Sequence, residues 1–249
     1  MGIFGFGRSD NLYFPGCYSK AFLDDAVVNY TKILKKLGID FKIQKSERCC
    51  GGFLDEAGYD KQLRKTAKDN REFLNDKGFK KIIVSCPLCY NTFKNYKDLM
   101  PDWNLEVEFI TQTILNGLKK QETRNINYFS EPLAYYDSCY LGRYSNITEE
   151  PRELLKLLGY TLVELPKNRE ETLCCGSCGN LPKTNSELSN KIATNFIKML
   201  LRKNIKKVIT ADPQAYQHLK KNLENLKIEP EKIKLLEFSE AVCEALGLL

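Results

Sequence analysis

Short runs of β-branched and aromatic residues alternate along the chain with longer stretches whose apolar residues fall three and four apart, the periods of buried strand and amphipathic helix. Leu12-Tyr13-Phe14, Ile82-Ile83-Val84 and Leu105 to Phe109 are runs of the first kind. So are Ala134-Tyr135-Tyr136, Val208-Ile209-Thr210 and Leu235 to Phe238. Residues 20–37 place Phe22, Ala26, Tyr30, Ile33, Leu34 and Leu37 on one face and stop at Gly38, which predicts a helix with a glycine C-terminal signal. Thr184 and Glu187 have capping-box spacing ahead of Leu188, Ile192, Phe196, Ile197, Leu200 and Leu201, which predicts a second helix beginning there. The β-α-β-α order predicts an α/β fold with short, mostly parallel sheets.

The pattern is written twice. An offset of about 122 to 129 residues aligns Leu12 to Tyr18 with Ala134 to Tyr140, and Arg48-Cys49-Cys50-Gly51 with Leu173-Cys174-Cys175-Gly176. The same offset aligns Lys80 to Pro87 with Lys206 to Pro213, and Leu105 to Phe109 with Lys234 to Phe238. Four blocks in one order predict two tandem homologous βα lobes, about 12–120 and 132–249. In an open parallel sheet the loops beyond the carboxyl ends of the strands converge on the ligand crevice, so loop cysteines far apart in sequence are expected to meet there.

At 249 residues the chain can bury a sizeable core without covalent staples, yet it carries ten cysteines. It has no 18-residue apolar run, and Met1 to Asp10 lacks a basic segment followed by a long apolar one. A chain that neither spans a membrane nor carries a secretory signal is expected in the cytoplasm. Phe6 stands where an acylation signal after Gly2 needs Ser or Thr. In a reducing compartment the cysteines read as metal or redox ligands rather than disulfides. The net charge of 38 − 32 = +6 comes from lysines spread along helical faces, such as Lys32, Lys35, Lys36, Lys61, Lys65 and Lys68, without a nucleic-acid-reading motif. The N-terminal Gly-Phe-Gly follows no strand and is not a nucleotide fingerprint.

The first lobe contributes Cys17, Cys49, Cys50, Cys86 and Cys89 from three loops, one thiolate more than a tetrahedral zinc site uses. A vicinal Cys-Cys pair suits two irons of a larger cluster better than one small ion, and Gly51 and Gly52 would let backbone amides approach the cluster sulfides. Taken alone, Cys86-Pro-Leu-Cys89 also fits a thioredoxin-like dithiol or half a zinc site. Tyr18 and Tyr140 flank the first cysteine of each lobe, where crevice lining and core packing explain them equally well. Arg48 and Lys20 lie beside the first-lobe cysteines, positioned to balance negative charge or to be solvated.

This cysteine pattern, with its adjacent pair, following glycine and terminal Cys-x-x-Cys, resembles the cysteine-rich CCG domain found in the B-type subunit of heterodisulfide reductase. That domain is shared with the iron–sulfur subunits of glycolate and lactate oxidases, anaerobic glycerol-3-phosphate dehydrogenase and methanogen thiol:fumarate reductase. The resemblance covers nearly the whole chain as two copies. It implies that Cys17, Cys49, Cys50, Cys86 and Cys89 bind a non-cubane [4Fe-4S] cluster at which a disulfide is split.

The second lobe departs from the pattern, because Asp212-Pro213-Gln214-Ala215 replaces the last Cys-x-x-Cys. Cys139, Cys174, Cys175 and Cys178 remain, enough for a cubane [4Fe-4S] cluster, with Gly176 beside them. The alternative is a degenerate lobe that binds nothing or uses Asp212 as an oxygen ligand. Cys243 lies in a terminal helical pattern and reads as a buried structural thiol, and His218 reads as a surface residue.

The chain has neither a ferredoxin-type cysteine run nor a flavin or nicotinamide fingerprint, so a ferredoxin-like iron–sulfur protein, a flavoprotein, or both are the expected electron partners. Three functions follow from these readings. They are a disulfide-reducing iron–sulfur oxidoreductase subunit, an electron relay for a 2-hydroxy-acid or glycerol-phosphate dehydrogenase, and a zinc-stabilised scaffold without redox chemistry.

Overall fold

A computed structural model describes residues 9–43, 48–121 and 128–249. The chain divides into two compact units, 1–121 and 122–249. The Gly-Phe-Gly run lies outside the described residues.

In the first unit the predicted apolar runs become β1 (Asn11–Phe14), β3 (Lys81–Val84) and β4 (Glu106–Phe109), joined by a two-residue strand, β2 (Lys42–Ile43). All pair in parallel in the order β2-β1-β3-β4. The connections are α1 (Cys17–Phe22), α2 (Asp24–Lys36), α3 (Gly52–Glu56), α4 (Asp60–Asp76) and α5 (Pro87–Leu99), and α6 (Ile110–Lys119) closes the unit. Parallel strands joined by helices are buried on both faces, so β1 and β3 are near-continuous apolar runs: Tyr13, Ile82 and Val84 are fully buried.

The second unit repeats this plan. Its strands β5 (Phe129–Tyr135), β6 (Tyr160–Val163), β7 (Lys207–Thr210) and β8 (Lys234–Glu237) pair in parallel in the order β6-β5-β7-β8. Its helices are α7 (Cys139–Ser145), α8 (Glu149–Leu157), α9 (Leu181–Thr184), α10 (Ser186–Arg202), α11 (Pro213–Asn225) and α12 (Phe238–Leu246), with a short 3₁₀ turn at Arg169–Glu171. In both sheets the strand order reverses between the first and third strands, the point at which open parallel sheets place a ligand site beyond the carboxyl ends.

Two local expectations are corrected. The helix expected over 20–37 is broken at Leu23, whose φ of −142° and ψ of 53° separate α1 from α2. Phe22 consequently lies exposed on the short first helix, while α2 buries Ala26, Tyr30, Ile33 and Leu34. Helix α10 is capped by Asn185, not Thr184: the Asn185 side chain accepts from the Leu188 amide at 3.0 Å, and the Thr184 hydroxyl donates back to Asn180 O. Leu188 and Leu201 sit at the edges of this helix's apolar stripe and stay partly exposed.

Candidate functional site

Each cysteine segment of the first unit starts where the chain leaves the sheet or enters a helix. Cys17 opens α1 directly after β1, Cys49 and Cys50 precede α3, and Cys86 is the N-cap of α5 with Cys89 in its first turn. The positive end of α5 therefore faces these last two sulfurs. The Tyr13 hydroxyl and Ser85 Oγ lie 3.1 Å apart, and Ser85 also donates to Pro15 O at 3.4 Å, which ties the Cys17 and Cys86 loops together. Helices hold the vicinal pair by its backbone. Asn70 on α4 donates to Cys49 O at 2.9 Å, and Tyr96 on α5 donates to Cys50 O at 2.7 Å.

The five thiols meet. Cys49 Sγ is within hydrogen-bonding reach of both Cys17 and Cys50, Cys50 of Cys89, and Cys89 of Cys86. The amides of Gly51 and Gly52 donate to Cys49 Sγ at 3.3 Å and Cys50 Sγ at 3.4 Å. Cys50, Cys86 and Cys89 are buried, Cys17 is half-buried and Cys49 is exposed, so the group has a sealed floor and an open edge. Hydrogen bonds from Cys17, Cys50 and the Gly51 amide push the Cys49 thiol down to about 2. Cys17, Cys50 and Cys89, each bonded to a neighbouring sulfur and desolvated, are held far above the ordinary thiol value.

The second unit departs from this arrangement at the positions where its sequence does. Asp212 takes the place of Cys86 as N-cap, and its carboxylate is fully engaged. One oxygen accepts from the Gln214 and Ala215 amides, and the other accepts from Ser138 at 2.6 Å. Three thiols converge: Cys139 and Cys178 sulfurs lie 3.3 Å apart, and Cys178 also reaches Cys174. Cys175 lies beside this group but meets hydroxyls rather than the other sulfurs, and Ser177 Oγ stands between it and Cys178, 3.7 Å from the Cys178 sulfur. Its thiol lies 3.3 Å from Ser177 Oγ and within hydrogen-bonding reach of the Tyr136 hydroxyl, and the residue belongs to a buried cluster that also contains Ala215, Phe196 and Leu219. Burial pushes its thiol up to about 12. The Cys178 contact and the Gly176 amide hold Cys174 down at about 6, with Arg143 adding positive charge nearby.

His218 is not the surface residue expected from its lysine neighbours. It is half-buried, with Nε2 3.2 Å from Ser189 Oγ, and Ser189 in turn donates to Gly176 O at 2.8 Å. Burial lowers its pKa. Cys243 is fully buried in α12. Arg48 stacks on Phe73, 4.0 Å to the ring centroid, and donates to Asp69 O. Tyr18 packs on Phe22 and Tyr140 on Tyr144, both at partly exposed faces. Among the described residues, no group of three or more His, Cys, Asp or Glu is arranged to hold a single metal ion, and no helix is long and apolar enough to cross a membrane.

Residues 11–94 and 133–220 match the profile of the cysteine-rich domain family known as CCG, one copy in each unit. The chain belongs to the CCG family. It is 29% identical over 251 residues to the D-type subunit of the dihydromethanophenazine:CoB–CoM heterodisulfide reductase of Methanosarcina barkeri, covering 97% of this chain and 60% of that protein. The named relative is thus the D-type subunit of that reductase rather than a B-type one. The probable iron–sulfur-binding oxidoreductase FadF of Bacillus subtilis is 32% identical over 169 residues, 66% of this chain and 24% of that protein. The B-type subunit of the CoM/CoB fumarate reductase of Methanothermobacter marburgensis is 26% identical over 215 residues, 85% of this chain and 42% of that protein. The chain therefore spans at most about 60% of the length of these relatives.

The first CCG copy fits an iron–sulfur cluster by the chemistry of its donors. Five thiols this close cannot all ionise beside one another, and a cationic core shared among them removes that repulsion. Amide-to-sulfur hydrogen bonds from Gly51 and Gly52 further stabilise thiolate charge. Gly16 leaves room for the sulfurs: a Cβ there would stand 3.2 Å from Cys89 Sγ and 3.1 Å from Cys86 Cβ, at a φ of +88°. Gly16→Ala is expected to cost about 1–2 kcal/mol in backbone strain and to lower iron incorporation on anaerobic reconstitution. Urea unfolding and iron per chain measure the two effects, and helical circular dichroism should be retained.

Proposed function

We propose that this CCG protein is an iron–sulfur oxidoreductase subunit that reduces a disulfide, or a comparable thiol pair, at its first lobe. Cys17, Cys49, Cys50, Cys86 and Cys89 would hold a non-cubane [4Fe-4S] cluster. The observation that carries the reading is the gathering of these five sulfurs from three loops at the carboxyl ends of one parallel sheet. The names of the relatives, among them a heterodisulfide reductase component and an iron–sulfur-binding oxidoreductase, support the same class.

The reaction is R–S–S–R′ + 2e⁻ + 2H⁺ → RSH + R′SH. A bound cluster would supply the two electrons one at a time. The chain's own residues determine access and charge. Cys50, Cys86 and Cys89 form the buried side, each no more than 3% exposed. Exposed Cys49 and half-buried Cys17 mark the side from which a substrate sulfur approaches. The Gly51 and Gly52 amides and the α5 N-terminus offset the negative charge of the thiolates. Electrons arrive from a ferredoxin-like iron–sulfur partner or a flavoprotein.

A second reading, an electron relay that meets no thiol substrate, is favoured by the loss of the last Cys-x-x-Cys from the second lobe. Electron paramagnetic resonance of the anaerobic protein carrying Cys139→Ala and Cys178→Ala, so that only the first lobe is read, separates the two. A catalytic site gives a first-lobe signal that changes when a small thiol is added, whereas a signal indifferent to thiols leaves the relay.

A further inference from the structure

The two lobes share a fold but direct their vicinal cysteines differently, and the cause is visible across the sheet. In the first lobe Cys50 is drawn to the site by contact with Cys89 on α5. The position equivalent to Cys89 is Ala215 on α11, which offers no sulfur and sits in the apolar cluster that takes in Cys175. Cys178 occupies the position equivalent to Phe53 of the first lobe and brings a sulfur back to the group, touching both Cys139 and Cys174. Asp212 is instead used as the α11 cap, with Oδ1 accepting two helix amides and Oδ2 accepting the Ser138 hydroxyl.

We infer that Cys139, Cys174 and Cys178, without Cys175, are the protein ligands of a four-iron cluster in the second lobe, and that its fourth iron is left to a small exogenous thiol. The inference rests on the iron–sulfur reading above and deepens it: the departure from the five-cysteine pattern changes the ligand set rather than abolishing it. The exposed Cys174 and half-buried Cys178 place the group at an edge that a small thiol can reach. Cys175 is a core residue, packed as its neighbours Phe196 and Leu219 are.

The test uses the full chain carrying Cys49→Ser and Cys89→Ser, which disables the first lobe, reconstituted anaerobically with ferrous iron and sulfide. This background is expected to retain about four irons per chain and a paramagnetic signal on reduction. Adding Cys175→Ala should leave both unchanged, whereas adding Cys139→Ala, Cys174→Ala or Cys178→Ala should remove most of the iron and the signal. Titration with 2-mercaptoethanol should shift the signal of the background protein. Loss of iron with Cys175→Ala equal to that with Cys178→Ala would overturn the ligand set, and a signal indifferent to 2-mercaptoethanol would overturn the open iron. An iron-free background beside an iron-loaded unmodified protein would overturn this inference alone. An iron-free unmodified protein would overturn the iron–sulfur function itself.

Discussion

Cys89→Ser is expected to abolish the paramagnetic signal proposed for the first lobe while leaving most of the secondary structure in place. Cys89 is fully inside the site: its sulfur meets Cys50 and Cys86, and Gly16 has no side chain to come between them. A serine hydroxyl is a harder and far less acidic donor than a thiol, so the substitution removes a ligand without opening a large cavity. Helix α5 keeps its apolar face, with Phe93 and Tyr96 buried, so circular dichroism changes little. Cys49→Ser should behave alike, since Cys49 connects Cys17 to Cys50. Cys243→Ser is the control. It lies in the core of α12, and signal loss equal to that of Cys89→Ser would show that the ligand assignment is wrong.

The second large effect is on stability. Arg152→Met is expected to destabilise the second unit by about 3–5 kcal/mol, the usual cost of stranding a buried charge. The Arg152 guanidinium is 1% exposed and forms a two-pronged pair with Asp137 at 2.7 and 2.8 Å. It forms another with Glu164 at 2.8 Å and donates to Thr148 O at 2.6 Å. Asp137 also accepts the Arg169 amide, and it lies two residues before Cys139, so this network anchors the loop that presents the first thiol of the lobe. Methionine fills the volume but leaves the buried Asp137 carboxyl without its guanidinium partner, while Glu164, partly exposed, regains water. Combining Arg152→Met with Asp137→Asn should recover part of the loss, because no unpaired charge remains. Urea unfolding of both variants measures this, and a single variant no less stable than the parent would contradict it.

Much of the architecture is legible in the chain because it depends on local periodicity. The six apolar runs become strands, and the offset of the repeat reappears as two sheets of identical strand order. The five first-lobe cysteines are legible for a related reason: strand-to-helix loops at the carboxyl ends must converge wherever the strand order reverses. What escapes the sequence depends on partners distant along the chain. The surroundings of Cys175 include the Tyr136 hydroxyl, thirty-nine positions earlier, and a buried cluster shared with Ala215, forty positions later, which the sequence alone does not bring together. Arg152, on a helix rich in charged residues, resembles a solvated side chain until Asp137 and Glu164 are seen around it. Asn70 and Tyr96 read as ordinary helix positions, yet they fix the carbonyls of the vicinal pair. His218 is misread because its own helix supplies lysines, whereas Ser189 on α10 supplies the contact.

Whether thiols from separate loops grip an inorganic iron–sulfur core is decided by metal and acid-labile sulfide analysis of anaerobically purified protein. Iron and sulfide are expected together, at about four irons per chain for one cluster and about eight for two. Zinc without iron, or iron without sulfide, would contradict it.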